Sequence, residues 1–266
     1  MSPEELLAYT DSGEQWPEGA GAGFATLDAA CSAALAVEAL RIARGENPRG
    51  YKIGFTNRTI WSRYNVFAPI WGSVWDTTVT SCEGAGVLSL AGLCQPRIEP
   101  EAVFGFKSAP PAGADVDEVF ESLAWVAPGF EIVQSHMRDW KFAAPQTVAD
   151  GGLHGRLLIG ARLPVSALAG NAAGLHSALA AARVELLRGE TLVDQGSGAN
   201  VLDSPLQALV HFLAALHATP GARCLAVGDV VTTGTWTDAW PVEAGQTWTA
   251  RFDAALPALS VKFVTG

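Results

Sequence analysis

The sequence predicts an α+β fold in which a small helical N-terminal lobe precedes a β-rich domain of mixed sheets. Helix-type periodicity is concentrated near the N-terminus and in one later segment. Most of the chain from residue 71 onward instead consists of short apolar or alternating stretches bounded by Gly and Pro. We therefore divide the chain into a helical lobe with a cover segment, residues 1–70, and a β-rich domain, residues 71–266.

The first helix is expected over "LDAACSAALAVEALRIAR", with Thr26 or Asp28 as its cap and Gly45 as its stop. Its apolar positions form one stripe: Leu27, Cys31, Leu35 and Ile42. "NPRG" then predicts a turn and "YKIGF" a strand. Residues 56–70, "TNRTIWSRYNVFAPI", lack a clean period and indicate a short helix plus a covering loop.

Strands dominate the remainder. "RIEPEAVFGF" and "FEIVQS" are typical of core strands, and "ARVELLRGETLVDQG" predicts a hairpin that turns at Gly189. Ser204 and Pro205 begin the clearest helix, "PLQALVHFLAALHA". "GDVVTTG", "QTWTARFDA" and "ALSVKFV" return to strands, and the last of these alternates its apolar residues.

Composition excludes several classes of protein. The formal net charge is −10, which argues against nucleic acid or an anionic membrane as a partner. Apolar runs such as "LAWVAPGF" end well before the ~20 residues that a membrane span needs. The start "MSPEELLAYT" lacks the basic and apolar regions of a signal peptide. Four widely spaced cysteines without a CxxC pair indicate reduced thiols, so we expect a cytoplasmic protein.

Three glutamates occur within apolar strand sequence. Glu99 and Glu101 are two residues apart and share a strand face, while Pro100 between them favours an edge or irregular strand. Glu131 faces away from its apolar neighbours in "GFEIVQS". An oxygen-rich set of this kind suits Mg²⁺ or Mn²⁺ better than Zn²⁺. The alternative is that these glutamates form salt bridges with Arg97 or Lys52 on a solvated face.

A series of motifs in order resembles the fumarylacetoacetate hydrolase superfamily, and in particular its 2-keto-4-pentenoate hydratase and 4-oxalocrotonate decarboxylase branch. The motifs are "GYKIGFT", "WGSVWD", "RIEPEAVFGF", "GFEIVQS", "TVAD", "GSGANVLDSPLQALVHFLA", "GDVVTTGT" and "PVEAGQTWTARF". The resemblance implies a β-roll catalytic domain, homo-oligomers of at least two subunits, and one Mg²⁺ or Mn²⁺ per subunit. It places the metal on Glu99, Glu101 and Glu131.

The resemblance also implies a substrate class, 2-oxo acids or their enols, whose enolates a divalent cation stabilises. The leading expectation is hydration of a 2-hydroxy-2,4-dienoate in the catabolism of aromatic compounds. Decarboxylation of a 4-oxalocrotonate-like dioate and C–C hydrolysis of an acylpyruvate-like acid pass through the same kind of enolate and remain alternatives. A non-catalytic family member is the alternative from a different class.

Around the metal, the resemblance assigns Lys52 to the substrate carboxylate or to proton transfer, with burial lowering its pKa. Asp76 in "WGSVWD" is the expected base that activates water, although it could simply cap the turn that follows. Thr233, Gly234 and Thr235 match a loop that would bind the substrate carboxylate.

Further lining residues are expected in less typical parts of the chain. Lys141 and Gln146 in "WKFAAPQTVAD" are two of them. Where the branch usually reads "ADNASSGG", this chain reads "ADGGLHGR", which brings His154 toward the expected pocket. Arg58 and Arg63 in the cover segment could pair with the second carboxylate of a dioate.

Overall fold

The computed structural model describes residues 1–64, 67, 69–253 and 255–265, without the side chains of residues 60, 63 and 64. Its helices are α1 (Pro3–Ser12), α2 (Leu27–Ala43), α3 (Trp61–Tyr64), α4 (Val116–Ser122), α5 (Ala144–Ala149), α6 (Val165–Leu168), α7 (Ala172–Ala181) and α8 (Pro205–Ala218). Its strands are β1 (Pro48–Gly54), β2 (Ile70–Trp75), β3 (Val79–Ser81), β4 (Ala85–Ser89), β5 (Arg97–Phe106), β6 (Leu123–Val133), β7 (His154–Ile159), β8 (Leu163–Pro164), β9 (Arg183–Arg188), β10 (Thr191–Ser197), β11 (Val230–Thr232), β12 (Trp240–Pro241), β13 (Thr247–Phe252) and β14 (Leu259–Val264).

The strands form two mixed sheets. The larger follows the order β2-β1-β11-β5-β6-β7-β3, with β12 beside β5 and β8 beside β6. The smaller follows the order β10-β9-β13-β14-β4. The helical N-terminus and the mixed sheets confirm the α+β prediction.

A continuous core lies between the two sheets and α8. Phe104 of β5, Val261 of β14 and Phe212 of α8 are among its buried members. Leu259, Val261 and Phe263 are all buried, as the alternation in "ALSVKFV" predicts. The helix cap at Ser204 is confirmed too, since its hydroxyl accepts a hydrogen bond from the backbone N–H of Leu206.

The expected apolar stripe of α2 is only partly correct. The Thr26 side chain caps the helix, but Leu27 and Ile42 are each 48% exposed. The buried positions of α2 are Ala30 and Arg41. Ala30 sits in the cluster that also contains buried residues of α1 and α5, and Arg41 stacks on Trp75 at 4.5 Å. The buried face of α2 therefore carries Ala30 and Arg41 instead of the large apolar side chains that the pattern indicated.

Strand β1 begins earlier than predicted, because residues 48–50 of the expected turn already pair with neighbouring strands. It is an internal strand of the larger sheet, between β2 and β11. The sheet thus includes sequence from before residue 71, and a division of the chain at residue 70 stays a prediction.

The expectation of an edge strand around Pro100 is wrong, because β5 lies between β11 and β6. Its irregularity is nevertheless real. Pro100 falls between the stretch that pairs with β11 and the stretch that pairs with β12. Its carbonyl accepts from the N–H of Trp236 in the intervening loop. The missing N–H of the proline therefore falls where the ladder is interrupted.

Within the described residues, no helix has both the length and the apolar character required to cross a membrane.

Candidate metal centre and substrate cavity

Alternate residues of the larger sheet point into the concave side of a curled roll. The register pairs Glu99 with Glu131, and Lys52 with both Thr232 and Gly72, so these side chains share that face. The same face carries a buried apolar layer below them: Val74, Val103, Ala127, Leu157, Ile159 and Val230. Polar groups are thus concentrated at one end of an otherwise apolar interior.

Close backbone contact closes the roll. Gly72 of β2 lies against residues 151 and 152, where a Cβ on Gly72 would come within 2.1 Å of the carbonyl oxygen of Gly151. Only glycine permits this approach. The contact holds the β1–β2 side of the sheet against the turn that leads into β7.

Three glutamates meet at the open end of this interior. One carboxylate oxygen from each of Glu99, Glu101 and Glu131 lies within 4.8 Å of the other two. Glu101 and Glu131 are fully buried, whereas Glu99 is partly accessible. These are the three carboxylates that the family resemblance grouped together, and the structure brings them within reach of one ion.

In Glu101 and in Glu131, one carboxylate oxygen has a hydrogen-bond partner and the other has none. Glu101 Oε2 accepts from the hydroxyl of Thr232 and, at 2.6 Å, from the backbone N–H of Gly234. Glu131 Oε1 lies 3.0 Å from His154 Nδ1, and its Oε2 lies 3.3 Å from Lys52 Nζ. The other oxygen of Glu101 has no hydrogen-bond partner, and Glu131 Oε2 has only the longer ion pair. Buried oxygens without donors fit a cation between the carboxylates.

The charges of this cluster are strongly coupled. Burial raises the pKa of Glu99 to about 7; Lys52 opposes this shift and Glu131 adds to it. Burial and the two other glutamates raise the Glu101 pKa well above its ordinary value. Burial alone would lower the Lys52 pKa, as expected from the sequence, but the negative charge of the three glutamates raises it. One ammonium does not neutralise three carboxylates, and a divalent cation supplies the missing charge.

A cavity of about 40 Å³ adjoins Glu99 and Lys52. Polar groups of Asn57, Thr235 and Asp238 line it together with an aromatic wall formed by Phe55, Trp140 and Phe142. Lys52 is the only cation among its lining residues in the described part of the chain.

A larger cavity, about 480 Å³, lies elsewhere, between α2, α8 and the convex face of β2. None of the three glutamates lines it. We place the functional site at the smaller cavity, because the ionisable groups with perturbed pKa values converge there.

Of the three residues predicted to bind the substrate carboxylate, Thr233, Gly234 and Thr235, only one lines the cavity. The hydroxyl of Thr233 donates to the carbonyl of Ala102 at 3.0 Å and is buried in the sheet. Gly234 takes a φ of +102°, and a Cβ there would lie 1.7 Å from Thr56 Oγ1. Thr235 alone lines the cavity beside Glu99.

His154 is buried on the far side of Glu131 from that cavity and does not line it. Its Nδ1 faces Glu131, and its Nε2 lies 2.8 Å from the hydroxyl of Thr78. Burial lowers the pKa of the ring, although Glu131 opposes this shift. The expectation that His154 would touch the substrate is therefore corrected to a contact with a candidate metal ligand.

Asp76 does not reach the glutamates. It is exposed at the end of β2, where its carboxylate accepts from the backbone and side-chain N–H groups of Asn47. These bonds lower its pKa. Gly72 pairs with Lys52, so Asp76 lies about 13 Å farther along the strand. Its assignment as the base stays a prediction that this placement does not support.

Three other expected lining residues also lie outside the cavity. Lys141 has an 83% exposed side chain, 3.8 Å from Asp139. Gln146 accepts from the backbone N–H of Ala143 at the start of α5. Arg58 is half exposed and pairs with Asp203 at 3.0 Å. The side chain of Arg63 lies outside the described residues.

Sequence reasoning missed the hydroxyl of Thr232 and the aromatic wall. Thr232 could have been found from its place one residue before the "TGT" loop on an alternating strand. The wall could not, because Phe55 lies far along the sequence from Trp140 and Phe142, and only the fold brings the two segments together.

Comparison with known proteins supports a common origin along most of the chain. A 2-hydroxyhexa-2,4-dienoate hydratase from Comamonas testosteroni is 32% identical over 237 residues, which cover 88% of this chain and 84% of the relative. A 4-oxalocrotonate decarboxylase from a Pseudomonas species is 30% identical over 88% of this chain and 86% of its own length. The chain belongs to this hydratase and decarboxylase family. No family model matches it.

Solved structures place this family member in the fumarylacetoacetate hydrolase fold. The 4-oxalocrotonate decarboxylase from Pseudomonas putida G7, complexed with magnesium and adipate, matches with a TM-score of 0.84 over 99% of both chains, at 23% identity. A fumarylpyruvate hydrolase from Pseudomonas aeruginosa, in complex with Mn²⁺ and pyruvate, matches with a TM-score of 0.64 over 82% of this chain and 90% of that one, at 16% identity. The β-roll implied by the sequence motifs is confirmed.

Proposed function

We propose that this protein is a divalent-metal-dependent hydratase that adds water to a 2-hydroxy-2,4-dienoate in the catabolism of aromatic compounds. The observation that carries the proposal is the cluster of Glu99, Glu101 and Glu131 beside a cavity with a single lining cation, Lys52. The 32% identity to a 2-hydroxyhexa-2,4-dienoate hydratase supports the same reaction.

Glu99, Glu101 and Glu131 would hold Mg²⁺ or Mn²⁺, which prefer oxygen ligands of this kind. When bound, such an ion supplies a Lewis acid for the 2-oxygen and the carboxylate of the substrate. The hydrogen bonds from Thr232 and Gly234 orient Glu101 for this purpose.

The residues of the cavity account for binding of the substrate head group. Lys52 contributes a buried positive charge for a carboxylate, and Thr235 and Asn57 contribute polar groups beside it. Proton exchange with the substrate falls to Lys52 and Glu99, since both line the cavity and titrate. A five-carbon acid exceeds about 40 Å³, so the aromatic wall must move when it binds.

The tail of the substrate is expected to be uncharged. Phe55, Trp140 and Phe142 offer apolar surface to that tail. Arg58, which the sequence suggested as the partner of that carboxylate, is already paired with Asp203. These features favour a dienoate over a dioate.

Decarboxylation of a 4-oxalocrotonate-like dioate is the second candidate, supported by the relatives that carry out that reaction. C–C hydrolysis of an acylpyruvate-like acid has weaker support, from a fold match at 16% identity. A non-catalytic role is disfavoured, because a chain without catalysis has no need to gather three carboxylates, two of them fully buried, around one lysine.

A paired substrate assay tests the proposal. The purified protein, with Mg²⁺ or Mn²⁺ and then with EDTA, is given 2-hydroxypenta-2,4-dienoate or 4-oxalocrotonate, and the products are identified by NMR. We expect metal-dependent formation of the 4-hydroxy-2-oxo acid, little release of CO₂, and loss of both activities in Glu101→Gln. If decarboxylation is faster than hydration, the proposal is wrong and the protein is a decarboxylase of a 4-oxalocrotonate-like dioate.

We further expect a cytoplasmic homo-oligomer, a dimer or a larger ring, that acts on this small acid without nucleic acid or membrane partners. The four cysteines are all free, as is usual in that compartment.

A further inference from the structure

Glu131 is held from two sides by different kinds of donor. Lys52 Nζ lies 3.3 Å from Oε2 on the side of the substrate cavity. His154 Nδ1 lies 3.0 Å from Oε1 on the opposite side, where the ring separates the carboxylate from Thr78. Glu131 is fully buried, whereas His154 and Thr78 are 8% and 6% exposed and line a separate cavity of about 350 Å³.

The acceptors fix the form of the imidazole. An ionised Glu131 can only accept, so the ring must carry its proton on Nδ1. The hydroxyl of Thr78 carries one proton, which it can donate to the other ring nitrogen at 2.8 Å or to the carbonyl of Trp75 at 3.1 Å. That threonine is itself fixed, since its oxygen accepts from the backbone N–H of Trp75 at 3.1 Å. The ring is thus tied to β2 at one end and to Glu131 at the other.

We propose that His154 is a positioning residue for the metal: its Nδ1–H occupies Oε1 of Glu131 and leaves Oε2 directed toward the cation. This inference rests on the proposed metal-dependent function and assigns a residue outside the three ligands to it. Without the ring, Glu131 would keep no donor on Oε1 and could turn either oxygen toward Lys52. Removal of such an outer contact typically weakens metal affinity about 10- to 100-fold.

Two substitutions of His154 test its contact with Glu131 and its contact with Thr78 independently. In His154→Asn the side-chain amide can occupy the place of Nδ1 and still donate to Glu131, whereas the contact with Thr78 is lost. In His154→Gln the amide reaches the place of Nε2, which keeps Thr78 but removes the donor to Glu131. If the ring only fills space, both substitutions should act alike.

The chain also offers a matched control. His136 is buried, and its Nδ1 lies 2.5 Å from Asp150 Oδ1, a carboxylate outside the glutamate cluster. His136→Gln therefore removes the same kind of contact from a different carboxylate. It should lower the melting temperature of the metal-free protein without changing its affinity for Mn²⁺.

The experiment is calorimetric titration of Mn²⁺ into the metal-free, full-length protein, with the melting temperature of each metal-free variant measured alongside. We expect the Kd to rise about 10- to 100-fold in His154→Gln and to stay near the wild-type value in His154→Asn and His136→Gln. The inference is overturned if His154→Gln binds like the wild type, or if either of the other two loses as much affinity. Absence of Mn²⁺ binding by the wild type would instead overturn the proposed function itself.

Discussion

The ammonium nitrogen of Lys52 lies 3.3 Å from Oε2 of Glu131, although β11 and β5 separate their two strands in the sheet. The larger sheet therefore curls until β1 and β6 face each other across the interior. Three carboxylates and one ammonium share that space, and their imbalance of charge determines how the protein responds to substitution, pH and metal.

Lys52→Met should destabilise the metal-free protein strongly. The substitution leaves the buried Glu131 without its ion-pair partner, a loss that costs about 3–5 kcal/mol in buried pairs. Turnover should be lost as well. Urea unfolding with and without Mg²⁺ measures the effect, and equal stabilities of the metal-free variant and wild type would contradict the account.

Glu101→Gln should have the opposite effect on the metal-free protein. Burial and two like charges raise the Glu101 pKa well above its ordinary value, so an uncharged amide relieves repulsion at little cost. We expect a metal-free melting temperature no lower than that of the wild type, together with loss of the stabilisation that Mn²⁺ gives. A variant that Mn²⁺ still stabilises as much as the wild type would remove Glu101 from the ligand set.

Metal binding should tighten as the pH rises from about 6 to 8. Burial raises the Glu99 pKa to about 7, and a proton on that carboxylate competes with the cation. Below this pKa the cation must displace the proton, and above it the carboxylate is already ionised. Titrations in two buffers of different ionisation enthalpy measure the protons released. Release that does not fall between pH 6 and pH 8 would show that Glu99 is not the competing group.

Gly234→Ala should damage both stability and metal affinity. The new Cβ would lie 1.7 Å from Thr56 Oγ1, and the backbone N–H that donates to Glu101 would have to move. Gly228→Ala is the matched control, because φ is +87° there and no atom lies within 4 Å of the new Cβ. In the control, only the backbone strain that alanine introduces at this positive φ should lower the free energy of unfolding, by about 1–2 kcal/mol. The control should bind Mn²⁺ normally. Equal effects of the two variants on Mn²⁺ affinity would argue against the close approach as the cause.

Arg58→Ala should leave the preference between a dienoate and a dioate unchanged. The arginine is half exposed and pairs with Asp203, so it has no contact with the cavity to lose. The ratio of kcat/KM values for the two substrates measures this preference. A selective loss of dioate turnover would restore Arg58 to the substrate site.

Local sequence predicted those parts of the site that depend on alternation. The shared face of Glu99 and Glu101 follows from strand spacing, as does the buried face of β14, whereas the set that includes Glu131 came from the family resemblance. Contacts that depend on the curl of the sheet could not be predicted from local sequence. Neither the contact of Lys52 with Glu131 nor that of His154 with the same carboxylate has a signal in sequence spacing.

The placement of Asp76 has a similar cause. Its motif lies on the right strand, but a strand rises about 3.3 Å per residue, so four positions past Gly72 carry it out of the site. The stripe of α2 was only partly predicted because Ala30 and the stacked Arg41 occupy its buried positions.

The most direct test is to remove metal from the purified protein with EDTA, add Mn²⁺ back in steps, and follow the absorbance of 2-hydroxypenta-2,4-dienoate. The account predicts that hydration is absent at first and reaches its plateau at one ion per chain. Full turnover by the metal-free protein, or no turnover once Mn²⁺ is bound, would contradict it.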